Sequence, residues 1–460
     1  MKTNIIVETD SYKIGHYNMM PENTEVVYSY FESRNGAKYP YTVFFSLQAI
    51  LKEYLVGQVV TKEKIDEAEM IVNGHLGPGV FNRKGWEYIL EKHDGRLPVR
   101  IKAVQEGLPV PTSNVLMTVE NTDPKCYWLT NYLETLLTHV WYGSTVATKS
   151  RFTKEMLAGF LAETSDNPQA INFMLHDFGC RGVSSSEGAM MGGMAHIINF
   201  MGTDTIPALV GAMKYYGATE VPAYSVPASE HSVMTSEGED GEFNVVERLL
   251  NKYPTGILSV VIDSYDYQKF IDTCGTKYKD IILAREGKLV FRPDSGSPVQ
   301  VSLDVIQRLE KYFGCSVNSK GFKVLNPKVG VLWGDGVDAA GIFDILNVIK
   351  THDYSAENMV FGMGGALLQK VNRDTQRFAF KSSYQVEDGV PKNIYKNPLD
   401  QSKRSKKGRL MLVVDTNGNF NTIEEIVKGQ DESGLLELVF ENGELKRDML
   451  FAQVRKNAQL

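Results

Sequence analysis

The chain has 460 residues, 43% hydrophobic and 23% charged, with a formal net charge of −7, a balance that supplies a large buried core but no whole-chain attraction to nucleic acid or an anionic membrane. Any anion site must therefore be a local cluster. Four cysteines, Cys126, Cys180, Cys274 and Cys315, form no C-x-x-C pair, which argues against a zinc knuckle or disulfide scaffold and for free thiols in a reducing compartment. Only three apolar residues run together before Glu8, and no uninterrupted apolar run of about 18 residues occurs, so neither a signal peptide nor a membrane span is expected and a cytoplasmic setting is.

Residues 1–147 mix short alternating segments (EVVYSYFES, LPVRIKAVQEG, NVLMTVENT) with helical ones (SLQAILKEYLV, KEKIDEAEMIVNGHL), an α+β texture. Over residues 148–374 an apolar run, a polar or glycine cluster and a helix-like segment recur. The strand ends are FMLHDFGCRG, IINFMGTDT, VPAYSVPASEHS, LSVVIDSYD, KLVFRPDSG, VGVLWGDGVD and NMVFGMGGALLQK. Such βα repeats predict an irregular parallel α/β barrel with its functional loops on the rim after the strands. From 375 to 460 alternation returns, with hairpin turns predicted at Asn417-Gly418 and Asn442-Gly443. The two terminal segments are expected to form one discontinuous α+β domain around the barrel.

Arg292 and Asp294 lie two apart on an extended segment, so their side chains point the same way, and Pro293 between them restricts the backbone. Two readings stand: an ion pair closing the barrel end, or a guanidinium for an anion or π surface beside a carboxylate for sugar hydroxyls. Gly364 and Gly365 open a helix and offer backbone N–H groups to a phosphate; Gly334, Asp335 and Asp338 form either a ligand turn or a turn with a helix cap. Phe178 and Arg181, three apart, suit a flat ring or a core aromatic beside a surface arginine. His231 follows Glu230, and Lys403 to Arg409 holds five basic residues in seven, a solvated face or an anion-binding loop.

Taken in order, TDSYKIGHY, YSYFESR, TVENTDPKCYWLTNYLETLL, HDFGCRGVSS, FMGTDT, YSVPASEHS, DSYD, RPDSG, GDGVD, FGMGGALLQK, KRSKKGRL and RKNAQL resemble the nicotinamide phosphoribosyltransferases of the type II phosphoribosyltransferase family nearly end to end. The resemblance implies a homodimer with shared active sites that joins nicotinamide to 5-phosphoribosyl 1-pyrophosphate, with Mg²⁺, and with ATP as a coupling substrate through a phosphohistidine at His231. It implies that Phe178 and the partner's Tyr12 stack on the pyridine, that Asp204 accepts the carboxamide N–H, and that Ser225, Arg181, Arg292, Asp294 and Asp266 border the ring and ribose. Gly334 and Asp335 are implied on the ribose side, Gly364 and Gly365 at the 5-phosphate, and Arg373 of the partner subunit at that same phosphate. Arg34, Lys381, Lys396 and Lys403 are implied at the pyrophosphate and ATP phosphates, and Glu230 is the expected neighbour orienting His231. The nearest rival is the nicotinate-using enzyme, against which the charge of Asp204 argues; a non-catalytic nucleotide sensor on the same fold is the other. NGAKYPYTVFF lacks the lysine-rich insertion of animal members, and EDGEFN also departs from them, which points to a bacterial or phage member without an extracellular signalling role.

Overall fold

The structure, a computed structural model, describes residues 4–397 and 404–460. Lys403 lies outside them. The chain divides into two compact units, Met1–Thr148 with Gly211–Thr219 and Val371–Gln459, and Lys149–Val210 with Glu220–Lys370.

The second unit contains six parallel strands, β1 (Leu175–Asp177), β2 (Gly202–Thr203), β3 (Thr255–Val261), β4 (Glu286–Arg292), β5 (Val329–Trp333) and β6 (Met359–Met363), in the order β2, β1, β6, β5, β4, β3. Strands covered on both faces need apolar residues at successive positions, and β5 is buried along its whole length. The side chains of Phe291, Trp333 and Phe361 are fully buried.

Six of the seven expected strand ends follow strands; VPAYSVPASEHS does not. Pro222 and Pro227 lack the N–H that a regular ladder needs, and the segment makes isolated parallel bridges instead, Tyr224 to Gly202 on β2 and Ala228 to Ser259 on β3. Thr203 N donates to Tyr224 O at 3.0 Å and Ser259 N to Pro227 O at 3.0 Å. One irregular segment thus joins the two free edges of the sheet, giving the expected irregular α/β barrel. Because all six strands run the same way, their C-terminal loops gather at one rim.

The first unit is built on a seven-stranded antiparallel sheet, in the order 390–393, 379–387, 24–32, 115–121, 99–103, 437–441 and 444–445. Its last hairpin turns through Asn442 (φ 50°) and Gly443 (φ 83°), the left-handed pair a two-residue turn requires. The Asn417-Gly418 turn differs: it is a longer loop in which Asp415 Oδ1 accepts from Asn417 N at 2.8 Å and Asn419 N at 2.9 Å. Cross-strand pairing aligns Tyr384, Tyr28, Glu120, Arg100 and Glu441 in one row across five strands. Buried Glu120 accepts from Arg409 Nη2 at 2.6 Å and from Arg100 Nη1 at 3.2 Å. Among the described residues no helix is long and apolar enough to cross a membrane.

Removing one member of a buried ion network strands the charges of the others. Glu120→Ala, which leaves two arginines without their shared carboxylate, is expected to cost about 3–5 kcal/mol, read as a lower urea midpoint; an unchanged midpoint contradicts this account.

Candidate active site

Phe178 follows β1 and its N–H donates to Met363 O at the end of β6, 3.0 Å away. The ring lies against bare backbone: a Cβ on Gly362 would fall 2.0 Å from Phe178 Cε2, and one on Gly334 would fall 3.1 Å from the same atom. A glycine at 362, on β6, is therefore required for the ring to lie where it does, and Gly334, just after β5, spares it a tight contact. Arg292 closes the arrangement, its guanidinium carbon 5.3 Å from the Phe178 ring centre, a cation–π distance.

The Arg292 and Asp294 side chains lie on one side of the chain, as their spacing predicts. Arg292 Nη2 and Asp294 Oδ1 are 3.4 Å apart, a loose contact, while Arg292 Nε is buried without a hydrogen-bond partner. A guanidinium with a buried N–H left over is primed for a further acceptor.

Asp177 underlies this edge. Its carboxylate accepts from Gly179 N at 2.7 Å, and its backbone carbonyl accepts from Asp204 N at 2.9 Å. Burial pushes the Asp177 carboxyl up to about 6, with Asp204 adding to the rise. Asp204 itself is exposed at the end of β2 and accepts from Ser225 Oγ, so the closing segment hydrogen-bonds to the neighbouring strand end.

His231 stands half-exposed at the start of a short helix, and its Nε2 lies 3.2 Å from Asp263 Oδ1. The Asp263 side chain is only 4% accessible; its Oδ2 accepts from Asp294 N at 3.0 Å and from Ser295 Oγ. Asp263 is thus the residue that orients His231. Glu230, expected in that role, accepts from Ser232 Oγ instead, because adjacent residues entering a helix diverge.

The DSYD motif holds two aspartates, and sequence reasoning selected Asp266 and missed Asp263. Asp266 caps the helix Tyr267–Thr276, its Oδ1 accepting from Gln268 N at 2.9 Å and Lys269 N at 3.0 Å. The missed signal was local: an aspartate ending an apolar strand faces the rim, whereas one just before a helix caps it. The same division occurs after β5, where Asp338 is the cap and exposed Asp335 is held by its carbonyl, which accepts from Trp333 Nε1 at 2.6 Å.

Gly364 and Gly365 start the helical turn after β6, and a Cβ on Gly365 would meet nothing within 4 Å, so the backbone there faces open space. Arg181 is exposed in the turn Cys180–Gly182. The rim therefore brings together Phe178, Arg181, Asp204, Ser225, His231, Arg292, Asp294, Gly334, Asp335, Gly364 and Gly365 on the loops of one unit.

The remaining candidates belong to the first unit. Tyr12 is 61% exposed, its ring edge-on to His16. Lys381 sits half-buried on the strand Ala379–Glu387; burial, then the positive charges of Arg34 and Lys396, hold its ammonium below the usual lysine value against Glu32 and Glu134. These three cations form a cluster whose repulsion an anion would relieve. Arg373 is exposed in the turn Arg373–Thr375, 3.8 Å from Asp374. In the basic run, Lys406 pairs with Glu32, Lys407 with Glu425 at 2.7 Å and Arg409 with Glu120, so these three serve the fold.

Residues 173–444 match the model of the nicotinate phosphoribosyltransferase (NAPRTase) family, and residues 4–101 match the nicotinamide phosphoribosyltransferase N-terminal domain. The chain is 45% identical to a nicotinamide phosphoribosyltransferase of Xanthomonas campestris pv. campestris over 99% of its own length and 98% of the relative's. It is 33% identical to one of Mycoplasma pneumoniae, over 88% of this chain and 94% of that one. Among solved structures, the human nicotinic acid phosphoribosyltransferase aligns with a TM-score of 0.58 at 15% identity over 98% of this chain and 92% of that one. A nicotinate-nucleotide pyrophosphorylase from Pyrococcus furiosus aligns at 0.59 and 16% identity over 99% and 95%; at such identities the likeness is one of fold. The chain belongs to the nicotinate phosphoribosyltransferase family.

Proposed function

We propose that the protein is a nicotinamide phosphoribosyltransferase, a pentosyltransferase that condenses nicotinamide with 5-phosphoribosyl 1-pyrophosphate to give nicotinamide mononucleotide and pyrophosphate in NAD salvage. The observation that carries this reading is the Phe178 ring, laid on glycine backbone beside the Arg292 guanidinium, with the Asp204 carboxylate exposed at the adjoining strand end. A flat ring bearing an amide finds an aromatic face and an acceptor there. A pyridine carboxylate would meet the charge of Asp204. The near full-length likeness to bacterial relatives of this name supports the same choice.

In the reaction the pyridine nitrogen attacks the anomeric carbon while the bond to pyrophosphate breaks and that group leaves with the electron pair. The nitrogen is already nucleophilic, so no general base is required; orientation by Phe178, and by Tyr12 of a second subunit in a homodimer, supplies much of the rate. Asp294 and Asp335 take the ribose hydroxyls, with Arg181, Ser225 and Asp266 along the same rim, and Gly364 and Gly365 take the 5-phosphate together with Arg373 of the partner subunit. Arg34, Lys381 and Lys396, together with Lys403, offset the charge building on the leaving group.

Among the described residues the one trio arranged to hold a metal, His93, Asp123 and Cys126, belongs to the first unit, so the rim forms no dedicated cage. Mg²⁺ binds through one or two carboxylates plus substrate phosphates rather than in an all-protein cage. Asp294 and Asp335 would hold the ion, which would supply charge neutralisation at the pyrophosphate.

His231 is assigned the phosphoryl group of ATP. The Asp263 carboxylate at Nε2 favours the proton there and leaves Nδ1 as the nucleophile. The test of the whole reading is turnover with nicotinamide and with nicotinate, each with and without ATP; no mononucleotide in any arm overturns it in favour of a sensor.

Three variants divide the roles. Asp204→Asn, which removes the repulsive charge, is expected to raise nicotinate use relative to nicotinamide by about tenfold, and an unchanged ratio of kcat/KM values counts against the assignment. His231→Ala is expected to keep basal turnover and lose the stimulation by ATP; complete loss of activity assigns the histidine a more direct part. Gly362→Ala drives a methyl group into the Phe178 ring and is expected to lower kcat/KM about a hundredfold and to cost about 1–3 kcal/mol of stability, whereas full activity would show that the ring position does not matter.

A further inference from the structure

We infer that Glu134 is a positioning residue for Tyr12: through Lys13 it fixes the ring that stacks on the pyridine, and it screens the Lys13 ammonium from the positive charge that the pyridine acquires. The role rests on the reading of Tyr12 proposed above, and all three residues belong to the first unit.

Tyr12 needs outside support. Its side chain is 61% exposed on a helical turn of four residues, Ser11–Ile14, too short to hold itself in water. Asp10, at the cap position, makes no side-chain cap; its carboxylate accepts from Thr135 Oγ1 at 2.7 Å and its backbone N–H donates to the same oxygen at 3.2 Å. Thr9 Oγ1 donates to Tyr132 O at 2.9 Å. An ion pair completes the attachment: Lys13 Nζ donates to Glu134 Oε2 at 2.6 Å, with the lysine side chain only 4% accessible. The turn that carries Tyr12 is therefore oriented by residues 132–135 rather than by its own hydrogen bonds.

Charge gives Glu134 a second effect. Lys13 Nζ lies 5.1 Å from the centre of the Tyr12 ring. The pyridine arrives neutral and becomes a pyridinium when its nitrogen lone pair bonds the anomeric carbon, so an uncompensated ammonium at that distance would repel it across the stack. The Glu134 carboxylate, in contact with the ammonium, cancels most of that field. The other flank of Tyr12 obeys the same rule. His16 stands edge-on to it, ring centres 5.3 Å apart and planes at 73°, and burial, then Lys13, hold its imidazole below the usual histidine value against the pull of Glu134. His16 is thus neutral at pH 7, and a neutral surround leaves the π face of Tyr12 to attract the pyridinium.

The test compares dissociation constants, in the full-length protein, for nicotinamide, whose ring is neutral, and for nicotinamide mononucleotide, whose ring is a cation. Glu134→Gln is expected to weaken the mononucleotide about fivefold more than nicotinamide. Lys13→Met, which leaves the carboxylate unopposed, is expected to shift the ratio of the two constants the opposite way while weakening nicotinamide about threefold. A residue that merely supports the fold would weaken both ligands equally in both variants, and that result overturns the inference, as does a ratio that moves the same way in the two. Should Glu134→Gln fail to fold, the direction of the Lys13→Met shift decides alone. Wild-type protein that binds neither ligand overturns the function proposed above and this role with it, whereas wild-type binding with unshifted ratios overturns this role alone.

Discussion

A buried carboxylate is stable only when its oxygens are satisfied, and Asp263 meets that requirement by drawing three chain segments together. Its own strand delivers it to the rim, His231 comes from the segment that closes the barrel, and Asp294 and Ser295 come from the loop after β4. The backbone N–H of Asp294 is spent on this carboxylate, which fixes where the Asp294 side chain starts and how far it stands from Arg292. The rim geometry is therefore a consequence of one desolvated acid rather than of independent loop conformations.

The closing segment carries the complementary burden. A regular seventh strand would satisfy all its backbone groups within the sheet, whereas the proline-broken segment satisfies only some and frees its side chains. Ser225 reaches Asp204 and His231 reaches Asp263, so the same irregularity that joins the sheet edges also presents two functional groups. Closure and chemistry thus share a stretch of chain from Tyr224 to His231. Regularising that stretch would trade the second for the first.

What was legible in the sequence follows from period and punctuation. Parallel strands buried on both faces read as apolar runs, and the Asn442-Gly443 turn reads as a hairpin, because each is dictated by local chemistry. Three things were not legible. The bridging by Tyr224 and Ala228 arises from long-range pairing that proline concealed. The division of labour between Asp263 and Asp266 depends on which one meets the helix start. The need for Gly362 is set by a ring 184 residues away in the sequence, since only the packed barrel puts β6 under Phe178. The basic run was legible only as charge density: Lys406, Lys407 and Arg409 find carboxylates on the sheet and its hairpin, partners that no local spacing announces.

An acidic chain that handles phosphates must concentrate its cations without letting neighbouring carboxylates cancel them. Around Lys381, in the first unit, the cations are crowded by burial and by each other, so the charged state is disfavoured until an anion arrives. The cluster keeps its affinity latent in a raised ground-state energy, which suits a group that appears during a reaction, because its gain grows with the developing negative charge.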